Sequence, residues 1–168
     1  DFALVEGFFQ KNEYDHQKYS DENYVAVCAP DYIFSGQRGD TSGGMQGTVN
    51  SGKSVTVEDL FHERLLVREE GSGTREVLER CLDAQNLSIR DFKKVMEVGS
   101  LQTIKELTKA GCGITFLYET AVRDELKSGT LKRIILKGLD ISHEFNFIWR
   151  RGSIYADRYK ELFRRFSL

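Results

Sequence analysis

Apolar residues fall in short clusters along this chain, and the spacing inside the clusters alternates between two periods. Runs of strand length occupy 2–5 (FALV), 24–29 (YVAVCA), 64–67 (RLLV), 95–98 (VMEV), 114–117 (ITFL), 131–136 (LKRIIL) and 144–149 (EFNFIW). Between them the apolar positions recur at helical spacing. Val77, Leu78, Cys81 and Leu82 share one face over 75–84, and Leu101, Ile104, Leu107 and Ala110 line the next helix. That helix stops at Gly111, a residue suited to a left-handed C-cap. Ala121, Val122 and Leu126 mark a helix ending at Gly129, and Tyr159, Leu162, Phe163 and Phe166 mark the last one. Strands alternating with helices of this size predict an α/β fold with mostly parallel sheets. No internal repeat is visible.

Two glycine-rich stretches interrupt the pattern. GTVNSGKS, at 47–54, satisfies the phosphate-loop spacing G-x-x-x-x-G-K-[ST]. A working phosphate loop needs a buried strand leading in and a helix starting at its Lys. Here SGQRGDTSGGMQ leads in, and the β-branched run Val55-Thr56-Val57 follows Lys53, so the expected helix begins later, at Glu58-Asp59-Leu60. The stretch 35–54 reads as a mobile surface loop holding a chance match. No nucleotide site is expected there.

The second stretch, GSGTR at 71–75, stands directly between the LLVRE strand and the helix REVLERCL. There the exposed N–H groups and the positive end of a helix point to the strand's C-terminal edge, where open α/β sheets bind ligands. Ser72 or Thr74 can cap that helix, and Arg75 can pair with a nearby Glu, which is the purely structural reading. VGSLQTIKEL repeats the arrangement: the 95–98 strand runs through Gly99 into a helix with Ser100 as its natural N-cap and Gln102 and Thr103 in the first turn. Two serine-led helix starts at strand ends point to a small anionic ligand held by Ser72, Gly73, Thr74, Arg75, Ser100, Gln102 and Thr103.

Composition narrows the classes. Charged residues make up 30% of the 168 positions but leave a formal charge of −2, so no nucleic-acid surface is advertised. Cys28, Cys81 and Cys112 lie far apart and without metal or redox spacing, which predicts reduced core thiols in a cytoplasmic protein. No apolar run approaches the roughly 20 residues of a membrane span, and no signal peptide is read ahead of the first strand. His16, His62 and His143 sit in polar settings without a neighbouring nucleophile, so neither an enzyme, a metal nor a cofactor is expected. The arginine pairs at 150–151 and 164–165 read as solvated.

The succession DFALVEG, YVAVCAP, VTVEDLFHERLLVREEGSGTREVLERCL, MEVGSLQTIKELTKAGCGITFLYETAV, LKSGTLKRIILKG and FNFIWRRG…YKELFRRF resembles the effector-binding domain of LysR-type transcriptional regulators over nearly the whole chain. The resemblance implies a periplasmic-binding-protein-like (type II) fold of two α/β subdomains, joined by two crossovers, with a small effector in the cleft. Residues 24–138 would form the second subdomain, and 1–23 with 139–168 an incomplete first one, truncated at its N-terminus. On the opposite wall Glu6 and Gly7 would end the first strand, with Glu6 accepting from the ligand. The resemblance further implies side-by-side pairing into a dimer or tetramer, and DNA binding through a winged helix absent from this sequence. A solute-binding protein of a transporter is the alternative with the same fold.

Overall fold

The computed structural model describes residues 1–6, 8–35 and 55–166. In chain order its elements are β1 (Phe2–Val5), β2 (Tyr14–Cys28), β3 (Arg64–Val67), α1 (Gly73–Asp83), β4 (Lys94–Glu97), α2 (Leu101–Lys109), β5 (Ile114–Tyr118), α3 (Arg123–Ser128), β6 (Lys132–Ile134), β7 (Ile141–Arg150) and α4 (Ala156–Phe166). Single 3-10 turns cover Glu58–Leu60, Ile89–Asp91 and Glu119–Val122. The chain divides into two compact units, Asp1–Glu22 with Ser142–Leu168, and Asn23–Ile141. β2 contributes residues to each.

In the first unit the strand order is β1-β7-β2. β1 and β7 are antiparallel, with Phe2 opposite Trp149 and Val5 opposite Asn146. Helix α4 closes one face through aromatic contacts: Phe163 lies 5.5 Å from Phe147, and Tyr159 5.7 Å from Phe2, between ring centroids. These side chains hold the helix by area rather than by enclosure, because no residue of α4 is fully buried. Phe2 and Leu4 on the outer strand stay exposed.

The second unit carries the core. Its strands run β2-β5-β3-β4, with β6 paired to β2. β3 is parallel to both its neighbours, β4 and β5, while β2 is antiparallel to β5 and β6. The pairing is therefore mixed: among the described strands the parallel ladders join β5, β3 and β4, where helices supply the crossovers, and the rest are antiparallel. Val25, Val27, Leu66, Ile104, Leu117, Val122 and Leu131 interlock between this sheet and the helices. The expected helix at 121–126 begins as a 3-10 turn and becomes α-helical only from Arg123, ending on Gly129 in the left-handed conformation with φ 73°. The strand expected over 131–136 keeps only its middle, and Leu136 makes an isolated bridge to Val55. Cys28 is buried, and its thiol is pushed up to about 11 by desolvation; Cys81 and Cys112 are free and only partly buried.

Gly113 shows how tightly β3 and β5 approach. A Cβ built there would stand 2.5 Å from the Arg64 carbonyl oxygen, a backbone atom that cannot swing aside. Gly113→Ala is expected to force the strands apart and to cost about 1–3 kcal/mol in a urea titration. A variant as stable as the parent would show that the strands separate freely.

Candidate functional site

β3 and β4 are adjacent, parallel and in register, with Val67 beside Glu97. Their C-terminal ends therefore lie side by side, and the two turns that follow lead into α1 and α2 at the same sheet edge. The Val98 N–H extends the pairing by donating to the Val67 carbonyl at 2.9 Å. This juxtaposition brings together the Ser72–Arg75 and Ser100–Thr103 helix starts, which lie 25 or more residues apart along the chain, counting from Arg75 to Ser100.

The two starts are built differently. Ser72 occupies the N-cap of α1 in an extended conformation, but its hydroxyl makes no capping bond. Its N–H donates to the Glu69 carbonyl at 3.1 Å, and its carbonyl accepts the first helical bond from Glu76. The Gly73, Thr74 and Arg75 amides thus form the first turn, where an α-helix offers no carbonyl to its own N–H groups. Thr74 is buried, and its carbonyl accepts from the Tyr24 hydroxyl at 2.7 Å, which pins the start of α1 to β2. At α2 the cap is made: Ser100 Oγ accepts from the Thr103 N–H at 3.3 Å. With its oxygen accepting this bond, the Ser100 hydroxyl still has one O–H to donate. Gln102 is exposed and donates along its own helix to Glu106 at 2.9 Å.

Charges on this edge are already engaged. Arg75 reaches Glu79 at 2.8 Å and Glu97 at 2.7 Å, and its side chain is only 14% exposed. Arg68 forks onto both oxygens of Glu69 at 2.8 Å, a bidentate pair. These bonds hold the Glu69 carboxyl down at about 2, well below the usual range. Gly99 sits beside it, since a Cβ there would stand 4.0 Å from Glu69 Oε2. Two arginines thus serve three carboxylates at this edge, Arg68 pairing with Glu69 and Arg75 shared between Glu79 and Glu97, and what favours an anion there is the helix ends themselves. The Arg68–Glu69 pair, and the choice of Glu97 as a partner of Arg75, escape a reading of sequence. Only the strand register sets Glu97 against Arg75.

Glu6 lies in the first unit, half-buried, just after β1. Gly7 and the GTVNSGKS stretch fall outside the described residues. Among the described residues no group of three or more His, Cys, Asp or Glu side chains is placed to hold a metal ion, and no helix is long and apolar enough to cross a membrane.

A parallel strand group with helix starts gathered at its C-terminal edge defines a ligand-binding α/β class. Within that class the chain belongs to the LysR substrate binding domain family, whose pattern matches residues 1–166. It is 38% identical over 96 residues to the HTH-type transcriptional regulator CbbR of Xanthobacter flavus, covering 55% of this chain and 27% of that protein. It is 27% identical over 155 residues to the HTH-type transcriptional regulator CysL of Bacillus subtilis (strain 168), covering 92% and 43%. The chain thus spans less than half the length of either relative. The regulatory domain of CcmR from Synechocystis PCC6803, solved in complex with 2-PG, superposes with a TM-score of 0.75 at 18% identity, over 99% of this chain and 72% of that one. The last comparison establishes the type II periplasmic-binding-protein-like fold.

Proposed function

We propose that this chain is the ligand-sensing regulatory domain of a bacterial LysR-type transcription regulator, and that its effector is a small anion held at the α1 and α2 helix starts. The observation that carries the reading is the in-register β3–β4 pair, which sets two helix N-termini together at one edge. Amide groups of Gly73, Thr74 and Arg75, with the Ser100 hydroxyl and the Gln102 and Thr103 turn, supply neutral donors in a favourable dipole. With Arg75 committed to Glu79 and Glu97, an anion is met by the amides first and by the guanidinium only where those pairs yield. The regulator names of CbbR and CysL, and the 2-PG complex of CcmR, support the assignment over a transporter's solute-binding protein. Glu6 and Gly7 are assigned a supporting role toward donor groups of the ligand. No catalytic step is assigned to the domain.

In this proposal the protein works in the cytoplasm as a dimer or tetramer, and DNA is contacted by a winged-helix domain outside this sequence. The effector binds one conformation of the regulator more tightly and shifts its population, and the differential affinity sets the size of the response.

Thermal-shift titration of the chain with small carboxylates, phosphate esters including 2-PG, and inorganic sulfate tests the site. A saturable stabilisation by at least one small anion is expected. Ser100→Ala should weaken that binding by about 1–3 kcal/mol, the range for a lost hydrogen bond to a charged group. Ser100→Thr, which keeps the hydroxyl and the cap, should restore most of it. Absence of any anion response, or an Ala variant that binds as tightly as the parent, removes these residues from the site. Mg²⁺-ATP and Mg²⁺-GTP should give no shift; a saturable shift lost in Lys53→Ala would reinstate a nucleotide site in GTVNSGKS.

A further inference from the structure

A groove of about 640 Å³ opens on the second unit, away from the residues of the proposed effector site, where α3 and its preceding turn meet β6. Pro30, Leu126 and Leu131 give it an apolar lining, and Arg123, Lys127, Lys132 and Arg133 stand around it. One carboxylate, Glu119, lies among them, and it is taken: it pairs with Arg133 and accepts from the Asn23 amide at 3.4 Å. Arg123, Lys127 and Lys132 form no ion pair with any described residue. Among the described residues Arg75, Arg80, Lys105 and Arg151 pair with carboxylates while other cations such as Lys11, Arg90 and Arg158 do not, and what marks this groove is that three unpaired cations line it together. The overall charge is −2, so three uncompensated cations in one groove run against the chain's own balance. Like charges gathered on a small surface repel one another, and an anionic partner relieves that repulsion.

We propose that this groove docks an acidic, leucine-bearing peptide segment of a partner protein. The charges select the sign of the partner, and the lining selects its other half. Bound carboxylates meet Arg123, Lys127 and Lys132, while apolar side chains of the same segment cover Leu126 and Pro30. A small molecule is disfavoured by shape, because ligand pockets enclose most of their occupant and this groove is more open than enclosed. A DNA backbone is disfavoured by chemistry, because phosphates have no use for an apolar floor and a phosphate-tracking surface is basic throughout. An extended peptide segment satisfies the open shape and the mixed lining together. The site is separate from the effector proposal and stands or falls without it.

Fluorescence anisotropy of the chain with a labelled synthetic peptide in which Glu and Leu alternate is the first measurement. Saturable binding is expected, weakened when salt is raised from about 0.05 M to about 0.5 M as the exposed charges are screened. A Glu and Ser peptide should bind more weakly, and a Lys and Leu peptide should not bind. The triple variant Arg123→Glu, Lys127→Glu, Lys132→Glu should lower affinity about tenfold or more, while its thermal unfolding is checked separately. A second measurement needs no variant: carbodiimide coupling of the same peptide to the parent chain should place crosslinks on Lys127 or Lys132. Absence of saturable binding, crosslinks confined to other lysines, an affinity indifferent to charge reversal, or binding of a short DNA duplex in place of the peptide would each overturn the proposal.

Discussion

Leu66→Ala is expected to cost about 2–5 kcal/mol of unfolding free energy, the range for a leucine truncated in a sealed core. Leu66 is fully buried at the middle of β3, with Met96 beside it on β4 and Thr115 on β5. Its side chain packs among Val25, Val27, Ile104, Leu117, Val122 and Leu131, which come from β2, α2, β5 and the segments flanking α3. Collapse into the vacated volume is resisted on each side. The Thr115 hydroxyl donates to the Leu66 carbonyl at 2.8 Å and fixes β3 against β5, and Ile104 is held by α2, which is itself capped by Ser100. Leu66→Met keeps the volume and should cost less than about 1.5 kcal/mol. Urea titration of the two variants checks both figures. A loss below about 1 kcal/mol for the Ala variant would mean that the core closes over the gap. The consequence for function follows from position, since β3 and β4 deliver both helix starts, and a slackened β3 should lower anion affinity as well.

The parts of this fold that are legible in the sequence are those whose signal is local. RLLV gives β3 without error because three consecutive apolar residues buried on both faces, Leu65 to Val67, need no partner's pattern to be recognised. Gly129 ends α3 in the left-handed conformation, as glycine after an apolar helical run suggests. β2 is the counter-example. Its YVAVC end is readable, whereas its first half, YDHQKYSDE, is polar and becomes a strand through its place beside β7. No composition signal marks it. The candidate site divides in the same way. Ser100 is recognisable as an N-cap from its neighbours and caps as expected, while Ser72 stands at the cap position with its hydroxyl unused. What Arg75 does depends on Glu97, 22 residues away, and therefore on strand register. Register is set by tertiary contacts that no local window contains.

Glu63→Ala is expected to cost about 2–4 kcal/mol. Glu63 is 3% exposed. Its Oε1 accepts from the Ser35 N–H at 2.6 Å, and its Oε2 accepts from the Tyr32 hydroxyl at 2.9 Å and the Ser35 hydroxyl at 3.3 Å. A buried carboxylate is tolerated when donors replace its lost water, and here the segment after β2 supplies them. The bonds tie that segment to the entrance of β3. Truncation leaves the Tyr32 O–H and the Ser35 N–H inside without an acceptor, and an unmade buried bond costs more than the bond itself contributes. Glu63→Gln retains one acceptor oxygen and the shape, so about half the loss should return. Tyr32→Phe removes one donor and should cost about 1 kcal/mol. Tyr32 offers an independent readout. Burial first, and the Glu63 carboxylate second, raise its phenol above the ordinary value of 10. A raised value means that the folded state holds the proton more tightly, so this contribution is complete below pH 10 and fades as the pH climbs beyond it. In Glu63→Ala the phenol should ionise at lower pH than in the parent, which ultraviolet absorbance records directly. A Glu63→Ala variant that unfolds within about 0.5 kcal/mol of the parent, with its tyrosine titration unmoved, would show that these donors find other acceptors and that the carboxylate is no clasp.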